Sequence, residues 1–289
     1  MKEKVNPTVV ITGASTGIGK TCAIALDELG YQVFAGVRKW EDADALKQLA
    51  SERLTPVIID ICDRQTLETA CQKVRETVGD RGLDALINNA GIAIASPLEF
   101  IPIEELRKQL DVNVCGQIAT TQVFLPLLRQ ARGRIVNMGS VSGKIAFPFL
   151  GPYCASKFAL EALTDSLRME LQPWGIAVSL IEPASINTPI WHKSLTAAEK
   201  IIDTLPNPTE FKRLYGEMVE NIKANMFASE TTGIAPEHVA KAAIHAIASP
   251  KPKTRYLVGE GIYVKAAIAR FPDRFKDWLI SRKMGLHPK

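Results

Sequence analysis

Short apolar runs alternate with amphipathic stretches along this chain. Thr8 to Thr12 is an apolar, β-branched run, the pattern of a strand buried on both faces. A glycine-rich turn follows, then a helical pattern from Lys20 to Leu29 that Gly30 closes. The alternation continues with strand Tyr31 to Val37, helix Glu41 to Glu52, strand Thr55 to Asp60, helix Arg64 to Val78 and strand Leu83 to Asn88. One long helical segment, Ile103 to Arg129, precedes strand Arg134 to Gly139, and Tyr153 opens the next helix. Strands Ile176 to Ile181 and Thr254 to Val258 follow, with a helix starting near Pro236 between them. This spacing predicts an α/β fold, a doubly wound parallel sheet of seven strands with helices on both faces. No linker or repeat interrupts it, so residues 1–260 are expected to form one domain. Two candidate helices, Ile262 to Arg270 and Pro272 to Arg282, make residues 261–289 a C-terminal extension of it.

The first turn carries the first candidate chemistry. Gly13, Ser15, Thr16, Gly17, Ile18 and Gly19 lie between a strand and a helix, the context of a Rossmann-type dinucleotide loop. Glycines let the backbone approach a pyrophosphate, and the helix N-terminus offers free N–H groups with positive partial charge. The spacing is G-x-x-x-G-x-G rather than the commoner G-x-G-x-x-G. Beyond the second strand stands Arg38, with no carboxylate until Glu41. An arginine there accommodates a 2′-phosphate where an acid would take the ribose hydroxyls, so NADP(H) is favoured, with NAD(H) the alternative. Asp60 and the turn Asn88, Asn89, Ala90, Gly91 fall at strand C-terminal ends, where ligands sit in open parallel sheets.

Tyr153 and Lys157, four residues apart on a helix, project from one face. An ammonium held near a phenol favours the phenolate, making a tyrosine that can exchange a proton with a reacting oxygen. Ser140 arrives on the same sheet edge, and Asn113 is a polar amide inside an apolar helical stretch, where it needs partners.

Together these residues resemble the short-chain dehydrogenase/reductase family. Thr12-Gly13-x-x-x-Gly17-Ile18-Gly19 is similar to its cofactor loop, Asn88 to Gly91 to its strand-four motif, and Asn113, Ser140, Tyr153 and Lys157 to its catalytic tetrad. The resemblance implies that Tyr153 is the general acid/base and that Lys157 lowers its pKa and bonds the nicotinamide ribose. Ser140 would bond the substrate oxygen, and Asn113 would hold a helix bend and a relay water. Pro183, Ile186 and Thr188 would join the glycine loop, Arg38, Asp60, Ile61, Asn89, Ala90 and Gly91 around the cofactor, although Ala184 stands where the family usually has glycine. Residues of about 188–232 would form the lid. Around Tyr153 the chain is most similar to the branch acting on steroids and retinoids, which implies a small hydrophobic carbonyl or alcohol substrate. Val141, Phe147, Phe149 and Trp191 are candidate pocket residues beside Ser140 and Tyr153. A reductase of small or acyl-chain carbonyls is the alternative, ahead of a non-catalytic NADP sensor, which would have lost Tyr153 or Lys157. A sugar-nucleotide epimerase is disfavoured by the glycine spacing. The family also implies a homodimer or homotetramer.

Composition narrows the setting. The chain of 289 residues has 46% hydrophobic and 23% charged positions, as a globular protein does, and no apolar run long enough to span a bilayer. Its five cysteines lack metal spacing, so no metal is expected, and their odd number argues for a reduced, cytoplasmic setting. The net charge of +4 is uneven, because Pro250 to Lys289 has ten Lys/Arg against three acids. Nucleic acid is not expected as a partner. Basic residues interleaved with Phe271, Phe275 and Trp278 suit peripheral contact with a membrane surface, a helix covering the cleft, or a subunit contact.

Overall fold

The structure, a computed structural model, describes residues 6–286, so the expectations for the first five and last three residues lie outside it. Strands β1 (Thr8–Ile11), β2 (Gln32–Val37), β3 (Leu54–Ile58), β4 (Ala85–Asn88), β5 (Arg134–Met138), β6 (Ala177–Pro183) and β7 (Arg255–Val258) form one parallel sheet in the order β3-β2-β1-β4-β5-β6-β7. Helices α1 (Gly17–Glu28), α2 (Trp40–Lys47) and α9 (Glu237–Ala248) cover one face, and α3 (Arg64–Val78), α5 (Gly116–Ala131) and α6 (Gly151–Leu171) the other. Between them in the chain lie α4 (Ile103–Leu110), α7 (Ile190–Asp203) and α8 (Pro208–Thr231), and the chain ends in α10 (Ile262–Ile268) and α11 (Asp273–Lys283).

The pleat explains the two cores. Val9 and Ile11 face α1 and α9 while Val10 faces α3 and α5; Ala85 and Ile87 divide from Leu86, and Val136 from Ile135, in the same way. Successive apolar residues in these strands are therefore buried on opposite faces, the signature of a parallel sheet covered twice. Pro56 sits within β3, an edge strand that pairs only with β2, where a missing N–H is tolerated. Chain order reverses between β1 and β4, which opens a crevice at their C-terminal ends.

Several boundaries differ from the sequence reading, each for a local reason. The helix expected over Glu41 to Glu52 stops at Lys47, because Ser51 turns in to donate from N and Oγ to buried Asp27 at 2.8 and 2.6 Å. Helix α6 opens at Gly151 rather than Tyr153, since Pro152 suits a first turn. The expected helix from Ile103 to Arg129 is two helices joined by a π-helical turn at Asp111–Cys115. A Cβ on Gly116, just after that turn, would lie 2.9 Å from the Ile61 carbonyl, so glycine lets the chain close on β3's loop. Met284, beyond α11, packs with Leu195 and Ile222 of the α7–α8 segment, while Tyr263, Val264, Phe271, Phe275 and Trp278 are exposed. Among the described residues no helix is long and apolar enough to cross a membrane.

Behind the sheet edge lies a charged cluster. Glu182 of β6 is fully buried, 3.3 Å from the Lys144 ammonium and 3.2 Å from Arg255 Nε, and Arg255 also meets Glu161 at 3.0 Å and Asp165 at 2.7 Å. Burial and then the charge of Glu161 hold the Glu182 carboxyl well above the usual carboxylate range, with Lys144 and Arg255 pulling it down. Removing one partner of such a group strands the other. Arg255→Met should therefore cost about 3 kcal/mol in urea unfolding, and adding Glu182→Gln should restore part of the loss. An unchanged unfolding midpoint for Arg255→Met would show that Lys144 alone neutralises the site.

Candidate functional site

The crevice is a groove of about 260 Å³ running from Arg38 to Trp191. At its start the β1–α1 turn is pinned to the end of β4. Thr12 Oγ1 accepts from the N–H groups of Asn89 and Ala90 at 3.0 Å each, and Asn89 Nδ2 donates to the carbonyls of Thr12 at 2.9 Å and Gly13 at 3.1 Å. The approach is so close that a Cβ on Gly19 would lie 2.2 Å from the Gly13 carbonyl. Gly13 itself has φ +68°, a conformation that favours glycine. Thr16 precedes α1 without a side-chain cap, and no acid occupies the first turn. The open N–H groups and positive helix end suit an anionic phosphate.

Every residue expected to hold the cofactor lines this groove: Gly13, Ser15, Thr16, Gly17, Ile18, Gly19, Arg38, Asp60, Ile61, Asn89, Ala90, Gly91, Tyr153, Lys157, Pro183, Ile186 and Thr188. Ser140 and Trp191 line it too. Asn113 does not. It is fully buried in the π turn, where Oδ1 accepts from Ile92 N at 2.9 Å while Nδ2 donates to Ile92 O at 2.9 Å and Ser156 Oγ at 3.0 Å. Ser156 Oγ in turn donates to the Tyr153 carbonyl at 2.7 Å. Two flanking amides act alike. Gln109 bonds Ile94 N at 2.7 Å and Ile92 O at 2.9 Å, and Gln117 bonds Ala90 O at 3.1 Å. The sequence reading passed over both, although glutamines four residues either side of Asn113 in an apolar helix were a visible signal. It also passed over Lys193, which lines the groove from α7.

Val141, Phe147 and Phe149 stand back from the groove. Val141 is buried in the turn after Ser140, and Phe147 and Phe149 pack with Leu150, Cys154 and Trp191 behind it. Phe149 borders a second cavity of about 30 Å³ with Phe211 and Ile222. Phe211 is buried, and Tyr215 donates to Glu99 at 2.7 Å while its ring meets Phe100 and Phe149, so these α8 aromatics pack their own segment rather than face the groove. The methyl of Ala184 is accommodated at Gly259, where an added Cβ would come within 2.7 Å of it.

At the far end the Tyr153 ring lies edge-on to Trp191 at 5.8 Å, and the Lys157 ammonium is 5.7 Å from the phenol ring centre, donating to the Met138 carbonyl at 2.7 Å. Lys157 is not among the causes that shift the phenol in this arrangement. Burial pushes the Tyr153 phenol up to about 12, opposed by a hydrogen bond from Ser140, and burial brings Lys157 down to about 8. Desolvation disfavours both charged forms and is the largest cause of each shift.

The chain matches the family model described as short chain dehydrogenase over residues 7–199. It is 36% identical to an NADPH-dependent 3-dehydrocapnine reductase of Ornithobacterium rhinotracheale, across 93% of this chain and 94% of that protein. It is likewise 36% identical to mouse (Mus musculus) retinol dehydrogenase 5, across 95% and 89%. Among solved structures, a short chain dehydrogenase/reductase from Burkholderia phymatum in complex with NAD superposes with a TM-score of 0.78 at 23% identity, covering 97% of each chain.

The Thr12 hydroxyl is the pin of the groove, and an isosteric loss of it leaves two N–H groups unpaired. Thr12→Val should lose about 1–3 kcal/mol of stability while Thr12→Ser keeps most of it, compared by urea unfolding. Equal midpoints for valine and serine would show that the pin is dispensable.

Proposed function

Because the chain belongs to the short-chain dehydrogenase/reductase family, oxidoreductases of alcohol and carbonyl groups, we propose that it is an NADP(H)-dependent enzyme interconverting a hydrophobic ketone or aldehyde and its alcohol. The observation that carries this reading is the groove, which joins a glycine loop at an uncapped helix end to Ser140, Tyr153 and Lys157. NADP(H) is supported by Arg38 at the far wall and by the NADPH-dependent relative. A hydrophobic substrate is supported by Trp191, Ile92 and Ile190 around the Tyr153 end, and by the likeness to a retinol dehydrogenase.

When bound, the nicotinamide supplies or accepts the hydride. The residues of the chain manage the proton and the geometry. With a pKa of about 12, Tyr153 keeps its proton at neutral pH and is ready to donate it to a carbonyl oxygen. Ser140, which lines the groove beside Tyr153, orients the same oxygen. Lys157, at about 8, is still mostly an ammonium at neutrality and would hold ribose hydroxyls while anchored on Met138. Asn113 is a positioning residue that fixes the Tyr153 backbone through Ser156.

We propose further that α10 and α11 rest on an anionic lipid surface. Phe271, Phe275 and Trp278 form a row of exposed rings 5.1 and 5.9 Å apart, flanked by Arg270, Arg274 and Arg282. A contiguous exposed aromatic row marks an interaction surface, and Arg270, Arg274, Lys276 and Arg282 outnumber Asp273 and Asp277 along it, which attracts anionic headgroups.

Two experiments test these readings. Purified enzyme should oxidise NADPH faster than NADH with steroid ketones or retinal, and the reverse reaction should gain as pH rises toward the phenol pKa. Tyr153→Phe should lower turnover by at least about a hundredfold with NADPH binding nearly intact. Undiminished turnover in that variant excludes Tyr153 as the acid, and activity confined to small polar carbonyls excludes the hydrophobic substrate. Separately, the protein should sediment with phosphatidylserine vesicles at low salt and lose this with Phe275→Ala/Trp278→Ala; equal binding of both proteins, or self-association without lipid, refutes the lipid surface.

A further inference from the structure

The lid touches the glycine loop through a polar contact that the motifs described above do not include. Lys193, on the first turn of α7, donates from Nζ to Thr16 Oγ1 at 3.1 Å, and both residues line the groove. The two segments also meet at Gly17, where an added Cβ would lie 3.2 Å from Thr188. Lys193 is exposed, and its only side-chain partner among the described residues is that hydroxyl. An ammonium and the uncapped positive end of α1 thus lie side by side at the cofactor loop. Two positive groups converging on one spot are stable together when an anion sits between them.

We propose that Lys193 is a phosphate clamp carried by the lid. Its ammonium binds a diphosphate oxygen of the dinucleotide and so fastens α7 over the loaded groove. This rests on the dinucleotide reading above. The diphosphate is favoured over the 2′-phosphate because Thr16 and Gly17 open α1, whereas Arg38 stands separately on the β2 side of the groove. A lysine has three N–H donors, so the contact with Thr16 can persist and aim the side chain while another donor takes the phosphate. Lid closure then follows cofactor entry, since only the loaded groove presents the clamp with its anion.

The test is a titration of full-length wild type and Lys193→Gln with NADPH, NADH and adenosine 2′-monophosphate, at low and high salt. Lys193→Gln should bind NADPH and NADH about tenfold more weakly at low salt, with a smaller gap at high salt. Both proteins should bind adenosine 2′-monophosphate, which lacks the diphosphate, alike. Lys193→Arg should recover most of the affinity. NADPH should slow proteolysis within residues 190–231 in wild type and less so in Lys193→Gln. Equal NADPH affinity in the two proteins overturns the clamp, and a loss with NADPH and adenosine 2′-monophosphate but not NADH overturns the diphosphate assignment. A wild type that binds no dinucleotide refutes the cofactor reading itself, an outcome visible without the variant.

Discussion

The nearness of the glycine loop to the end of β4 is the constraint on which the rest of the site depends. A Cβ at Gly19 would lie 2.2 Å from the Gly13 carbonyl and 2.4 Å from Asn89 Nδ2, so no side chain can intervene there. Contact at that range satisfies the Asn89 and Ala90 N–H groups on one threonine hydroxyl. It also brings α1 into register with β4, whose following turn supplies Asn89 to Gly91. The groove has two fixed walls because the chain order reverses there and because Thr12 and Asn89 knit the loop to the end of β4.

The second wall is held by amides. Gln109, Asn113 and Gln117 grip the backbone of residues 90–94, and Asn113 passes the hold to Ser156 and hence to the carbonyl of Tyr153. Buried amides are costly unless all their groups are matched, and those of Asn113 are. The π turn belongs to the same arrangement, because it contains Asn113 and ends where Gly116 lies against Ile61. Strand-four loop, helix bend and tyrosine helix are therefore one connected unit.

Much of this was legible in the sequence, and the remainder was hidden for identifiable reasons. Alternating apolar runs gave all seven strands, since a sheet buried on both faces leaves long apolar signals. The glycine spacing and Arg38 pointed to one end of the groove, and Tyr153 with Lys157 to the other. The resemblance placed a helix bend at Asn113, but its π form was not legible, because an inserted residue leaves the helical pattern nearly intact. Phe147, Phe149 and Val141 were taken for groove residues on apolarity alone, which cannot tell a wall from the packing behind it. Lys193 escaped because a solvent-facing lysine on a lid helix has no pattern; only the fold brings it to Thr16, 177 positions away.

The pairing of Tyr153 with Lys157 shows why proximity alone does not set a pKa. An ammonium beside a phenol stabilises the phenolate only if the attraction exceeds what both groups lose by leaving water. Here both side chains are buried, the ammonium is turned to a backbone carbonyl, and burial is the largest cause of each shift. The result is an acid that holds its proton beside a cation with a weakened hold on its own. In the proposed reaction, that ordering suits delivery of a proton to an oxygen that is gaining charge. The lysine's remaining donors are then best used on neutral hydroxyls, where they orient without requiring a charge to be made in an apolar site.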